Sequence, residues 1–327
     1  MYIFTKNTKI ICLSFIMIGL VAIGYGFYSA SKMHYSDTEI KEKVKLISKN
    51  LEYTNKNQAI NKDKYDPHHS GEKHEFSDLF HAIEKELHCH FSEEEIASAQ
   101  SVDDVIYTTK HYFHAKKQRP WSSLFASNLF FLMISLAGLV WLAVQYISQS
   151  GWSASLLRIP QAVSAFLPYG GIIMLFIIIT GALHWHHTFH WMDSSLTYEY
   201  VLEESLETDH PIYTDEKSDG VISNPKYDYI IAGKTAYLNI PFFILRAIIY
   251  LLGWCLAAFL LRKYSLKEDL EGGVKWHNKM FTVSAIFIVF AAITTSTGAW
   301  DWIMSIDTHW FSTLFGWYSF ASFFVSA

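Results

Sequence analysis

Long apolar runs alternate with polar stretches along the whole chain. The first, Ile10 to Phe27, follows a short segment carrying Lys6 and Lys9. Others cover Leu124 to Ile147, Val163 to Trp185, Tyr237 to Leu261 and Phe281 to Ala299. A sixth begins near Ser312 and is still apolar at Ala327, so further helices are expected beyond it. A bilayer core needs roughly 20 apolar residues per helix, and these runs match that length. They predict an all-α polytopic membrane helix bundle with a small helical extramembrane segment. The first run reads as a retained anchor rather than a signal peptide cleaved near Ala30. It exceeds the usual signal core of about 7–15 residues.

The polar positions give the boundaries. Residues 1–32 form an N-terminal transmembrane anchor, 33–118 a polar helical segment, 119–303 a first four-helix bundle and 304–327 the start of a second. Within 33–118, Asp37 to Leu51 is amphipathic. His74 to Cys89 sets Phe76, Leu79, Phe80, Ile83 and Leu87 at helical spacing. Ser92 to Glu95 is a capping box, and Ser101 caps a helix running through His111. Asn55 to Gly71 reads as a loop. The apolar positions are few, which predicts a thin core. Arg119-Pro120-Trp121 marks the start of the second span, because proline suits a first helical turn.

Charge and composition narrow the function. The net charge is −5, with no basic patch interleaved with aromatics, which argues against nucleic acid. The three cysteines, Cys12, Cys89 and Cys255, are far apart and give no haem c or iron–sulfur ligand set. The clusters His68-His69, His88-Cys89-His90 and His111/His114 lack zinc spacing and read as solvated histidines rather than a metal site. No Walker, dinucleotide-binding, GxSxG or HExxH pattern occurs. With a cytoplasmic N-terminus, inside segments 1–9, 148–162 and 262–280 hold 2, 1 and 5 basic residues, against 3 and 0 in outside loops 186–239 and 300–311. That distribution favours N-inside.

Candidate chemistry gathers at one membrane face. Leu183 to Met192 reads LHWHHTFHWM, and helical spacing would put His184 and His187 on one side, His186 and His190 on another. Proton handling, bis-histidine haem b and an interfacial aromatic belt are the open readings. Haem b needs a facing histidine, and His309 and His277 are the ones near spans. Arg246 lies inside the fourth span, about 9 Å from Ile240 at 1.5 Å per residue. It either snorkels to lipid phosphate or pairs with Asp301. The hydroxyl run from Thr294 to Thr297 either bonds its own helix or forms a proton path from Ser284 through Thr294 and Thr297 to Asp301. Asp307 and His309 complete a Trp-rich hairpin.

Two stretches resemble a known family. YLNIPFFILR (Tyr237 to Arg246) with Trp254, and WDWIMSIDTHWFSTLFG (Trp300 to Gly316), are similar to the ActF-type subunit of bacterial alternative complex III. The Arg119-Pro120-Trp121 and Leu183-His184…His187…Trp191-Met192 runs add to this. The resemblance covers roughly 115–327 and departs at Thr308, where the family often has proline. It implies a NrfD-like, multi-pass subunit of a bacterial inner (cell) membrane, with two four-helix bundles. The complex would be a respiratory quinol:cytochrome c oxidoreductase. Partner subunits would carry haem c and iron–sulfur clusters, and an ActC-type paralogue is the better candidate for the quinol site. This chain would bind no cofactor of its own, although a quinone could sit in it. The implied roles are quinone handling, proton translocation and assembly. His184, His187, Arg246, Thr297, Asp301, Asp307 and His309 are the proton-transfer or quinone-site candidates. A non-catalytic scaffold docking redox subunits and a polytopic transporter are the alternatives.

Overall fold

A computed structural model describes residues 6–32, 35–60, 76–99, 101–205, 212–217 and 220–326. The His68-His69 pair and most of the Asn55 to Gly71 stretch lie outside these residues. Among the described residues, five helices are long and apolar enough to cross a bilayer: Lys9–Ser31, Val102–Ile147, Arg158–Ala182, Ile240–Glu271 and Val274–Ile306. The chain is a multi-pass helical membrane protein. Its contacts divide it into two compact units, residues 1–120 and 121–327.

In the first unit, α1 (Lys6–Ser31) is exposed along its apolar window. Helix α2 (Asp37–Ile60) starts from a reciprocal cap. Ser36 Oγ accepts from the Glu39 amide, and the Glu39 carboxylate accepts from the Ser36 amide. It continues to Ile60 rather than yielding to a loop at Asn55, because no glycine or proline stops it before then. Helix α3 (Ser77–Leu87) ends when His88 turns left-handed, with φ 53°. Cys89 therefore lies off the helix and is buried, and burial pushes its thiol up to about 11. Helix α4 (Glu93–Ser98) carries the capping box expected at Ser92 and Glu95.

These helices and the start of α5 (Val102–Ile147) enclose Ile40, Val44, Phe80, Ile83, Phe91, Ile96 and Val105 in one continuous core. That core is thicker than the sparse apolar pattern predicts, since nearly every apolar position turns inward. Two acids lock its edges. Asp37 accepts from His114 at 2.9 Å and Lys110 at 3.3 Å. Glu84 accepts from the Phe91 amide at 2.8 Å and bonds the rings of His81 and His90. These histidines serve as local ties to carboxylates, and no cluster fit for a metal occurs among the described residues.

Helix α5 is unbroken across Pro120, where the sequence pattern predicts a new start. Proline cannot donate to the Lys116 carbonyl. The position lies where polar sequence gives way to apolar, so water or headgroups can meet that carbonyl, and one missing bond does not end the helix.

The second unit packs the apolar part of α5 with α7 (Leu167–Ala182), α9 (Ile240–Glu271) and α10 (Val274–Trp302) around a single core. A short α6 (Arg158–Val163) and a 3-10 turn lead into α7. Pro168 falls in the first turn of α7, where its missing N–H costs nothing, so it opens the helix instead of kinking it. Helices α9 and α10 approach closely at Gly253, where a Cβ would clash with the Phe290 ring. Leu245, Ile249, Leu252, Leu256 and Phe259 form the outer, lipid-facing stripe of α9. The stretch between α7 and α9 folds into a small antiparallel sheet, β2 (Tyr213–Thr214), β1 (Tyr200–Leu202) and β3 (Val221–Ser223), followed by α8 (Tyr229–Ala232). The last helix, α11 (Phe315–Ser326), packs on α10.

Phe80, fully buried, tests the first core. Phe80→Ala is expected to cost about 3–5 kcal/mol, read as lost deuterium-exchange protection across α2, α3 and α4 of the intact protein. Unchanged protection would contradict a shared core.

Candidate functional site

The start of α9 and the end of α10 meet at one end of the bundle. Asn239 caps α9 by accepting from the Phe242 amide at 3.0 Å, and Pro241 occupies the first turn. This fixes the helical phase and turns Phe243, Arg246, Ala247, Tyr250 and Trp254 inward. Asp301 lies in the last turn of α10, 1% exposed, and Arg246 is 7% exposed. Snorkelling is therefore excluded, and the ion pair is formed. Arg246 Nε donates to Asp301 Oδ2 and Nη2 donates to Oδ1, each at 2.8 Å. Nη1 donates to the Tyr237 carbonyl at 3.0 Å. The guanidinium lies 3.9 Å from the Tyr237 ring centre and 4.3 Å from that of Phe242. The Tyr250 hydroxyl donates to Asp301 Oδ2 at 3.1 Å. Both carboxylate oxygens and all three guanidinium nitrogens are thus engaged.

Aromatic rings close the floor. Tyr250 stacks on Trp254, and the Trp302 ring stands nearly perpendicular to Trp254 with centres 5.7 Å apart. Trp254 Nε1 donates to Thr294 Oγ1 at 2.9 Å. Thr294, Thr295, Ser296 and Thr297 each donate to a carbonyl one turn back on their own helix. This is the ordinary use of such hydroxyls. Ser284 is fully buried with no partner for its hydroxyl, and apolar Phe287 and Ala291 separate it from Thr294 along the buried face of α10.

The hairpin beyond Asp301 is tied to the connection before α9. Ser305 Oγ donates to the Asp301 carbonyl, and Lys234 Nζ donates to the Thr308 carbonyl. Asp307 is exposed and accepts from the His309 amide at 3.2 Å, forming a local turn. His309 Nε2 lies 2.6 Å from Asp228, whose carboxylate also caps α8. Burial alone would raise the Asp228 carboxyl, but the Ile231 and Ile230 amides and His309 outweigh it and hold it below the usual range. Burial and the nearby Asp301 carboxylate push the Tyr237 phenol well above its ordinary value. Between hairpin and connection lies an open groove of about 330 Å³ lined by Lys234, Tyr237, Leu238, Trp300, Trp310 and Phe311.

The histidine run does not have the predicted form. Helix α7 stops at Ala182, and His184 adopts φ 58°, so helical spacing does not apply beyond Leu183. His184, His187 and His190 are exposed, and His186 is buried. His186 Nε2 lies 3.0 Å from the Ile177 carbonyl, and Nδ1 accepts from the Thr188 amide at 3.3 Å. Those partners require a neutral ring protonated at Nε2. Both ring nitrogens are used, so His186 cannot serve as an axial haem ligand without losing them. Trp191 packs on Phe243 with ring centres 5.1 Å apart, and the His190–Met192 turn touches the Met304–Ile306 turn.

Of the predicted site residues, Arg246 and Asp301 are paired, Thr297 lies one turn before Asp301 on the same helix, Asp307 and His309 form a separate hairpin network, and His184 and His187 are exposed beyond the end of α7. Sequence reasoning missed Tyr237, Tyr250, Lys234 and Asp228. Tyr250 follows Arg246 by one turn, and Asp228 precedes an apolar helical start, so both carried a readable signal.

Burial lowers the His186 ring below its ordinary value, with only partial compensation from Ile177. The folded value lies below the unfolded one, so the unfolded chain takes up the proton first. Its contribution is intact above about pH 6.5 and is lost as pH falls through that value. The melting temperature in detergent is expected to fall between about pH 7 and 5.5. The fall is expected to be smaller in His186→Gln, and an equal fall in both proteins would contradict this.

No protein-family model matches the chain, and no curated protein matches it.

Proposed function

We propose that the chain is an integral membrane subunit of a respiratory quinol:cytochrome c oxidoreductase of the alternative complex III type. In this reading it is ActF-like, sits in a bacterial inner membrane, and works beside an ActC-type paralogue and subunits carrying haem c and iron–sulfur clusters. One observation carries the reading. The two sequence stretches that resemble the family, Tyr237 to Arg246 and Trp300 to Gly316, converge on a single buried ion pair and on the groove beside it. They are far apart in sequence, and their most unusual residues are each other's partners.

The proposed contribution is to quinone handling, proton translocation and assembly. A quinone ring is flat and apolar with two carbonyl acceptors, and a groove of Trp300, Trp310, Phe311 and Tyr237 with Lys234 at its edge suits that chemistry. Quinol oxidation also releases protons, which need an acceptor at the site. His309 is exposed, bonded to Asp228, and flanked by Thr308 and Trp310 of the groove. Asp301 is a poorer acceptor in this arrangement, because donors already occupy both of its oxygens.

That occupancy favours a second reading, a non-catalytic scaffold whose ion pair only fixes two helices. The two separate in the complex purified with its partners. His309→Gln, which leaves the buried Arg246–Asp301 pair intact, is expected to lower quinol:cytochrome c turnover at least about tenfold, a barrier change of about 1.4 kcal/mol. It is expected to slow proton release while the complex stays assembled. Full turnover and unchanged proton release in this variant would favour the scaffold.

A further inference from the structure

At the opposite end of the second unit, the α9–α10 turn gathers positive charge. The segment 262–280 holds five basic residues, Arg262, Lys263, Lys267, Lys275 and Lys279, against the acids Glu268, Asp269 and Glu271. Three of the lysines converge on one indole. The ammoniums of Lys267, Lys275 and Lys279 lie 4.5, 5.3 and 4.6 Å from the Trp276 ring centre. Tyr264 stacks on the same ring, and Lys279 lies 5.6 Å from it. Trp276 is only 6% exposed, so these residues cover it and fix where their charges stand.

Each acid of the turn has a partner. Asp269 pairs with Arg158, Glu271 accepts from Trp276 Nε1 at 2.8 Å, and Glu268 faces His277 at 3.8 Å. Glu271 thus sits at the indole the lysines surround and offsets one of their three charges, which leaves the cluster net positive, and like charges held together repel unless a further anion lies among them. No acid occupies the first turn of α10, where the helix dipole would favour one; Lys275 stands there instead, and Lys279 follows one turn on.

The level of the cluster identifies the anion. On α9 the exposed apolar positions run unbroken by charge from Leu245 to Phe259, beyond which Leu266 and Leu270 alternate with Arg262, Lys263 and Lys267, and the apolar run of α10 begins at Phe281, just after Lys279. The ammoniums thus stand where hydrocarbon gives way to headgroups, and basic clusters at this level attract anionic lipid. We propose that the α9–α10 turn is a docking surface for the phosphate headgroups of anionic phospholipids, seated on the Lys267, Lys275 and Lys279 cluster over Trp276. This does not depend on the redox reading of the other end.

The test uses the full chain purified in a neutral detergent and titrated with phosphatidylglycerol. Melting temperature and native mass spectrometry are the readouts. Phosphatidylglycerol is expected to raise the melting temperature and to remain bound, and phosphatidylcholine to do neither. The triple variant K267Q/K275Q/K279Q is expected to bind at least tenfold more weakly, and the corresponding triple arginine variant to bind like the original protein. The single exposed changes Lys275→Gln and Lys279→Gln, each giving a partial loss, guard against misfolding of the triple variant. Equal effects of the two lipids, or undiminished binding by the glutamine variants, would overturn the proposal. So would an equal stabilisation by sodium phosphate or by polyglutamate, which would make the surface a general anion or acidic-peptide site.

Discussion

Charges buried in a membrane-spanning bundle are costly unless each fills the other's hydrogen-bonding sites. Arg246 and Asp301 meet that condition with two parallel bonds of 2.8 Å, a tyrosine hydroxyl and a backbone carbonyl. The geometry leaves little freedom. A bidentate pair sets the relative height and rotation of α9 and α10 at this end, because sliding either helix by one residue would break both bonds. Trp302 and Trp254 pack only when that register holds. The groove beside Tyr237 exists because the chain leaves α10 at a fixed place and is then fastened by Lys234 and Asp228.

The two ends of the second unit treat charge in opposite ways. At the Asp301 end, the pair is buried and the hairpin acids and histidine are tied into turns and caps. At the α9–α10 turn, lysines cluster over an aromatic platform and their charges face outward. Between the ends the buried face of α10 is mostly apolar, with Ser284 and Thr294 separated by Phe287 and Ala291. The continuous hydroxyl path that the sequence permits is therefore interrupted by apolar side chains.

Much of the fold was legible because a bilayer imposes a length and a composition on each helix. Arg246 and Asp301 were legible as a pair for the same reason, since a buried charge advertises its need for a partner. The histidine run was misread because helical spacing was extended past Ala182, and a left-handed residue such as His184 leaves no mark in sequence beyond its type. The continuity of α5 through Pro120 was hidden for a related reason. Whether a proline ends a helix depends on what meets the freed carbonyl, and that is a property of the surroundings. Tyr250 was overlooked because a tyrosine in an apolar span usually reads as packing. Its role became visible once Asp301 was placed beside it.

The central claim is that Arg246 and Asp301 act as one unit holding the end of the bundle. A double-mutant cycle on unfolding free energy in lipid bicelles tests this most directly, using Arg246→Gln, Asp301→Asn and the double variant. Each single change is expected to cost about 3–5 kcal/mol by leaving a buried charge unpaired. The double variant is expected to fall short of the sum by at least about 2 kcal/mol. Small single effects that add without coupling would contradict the account.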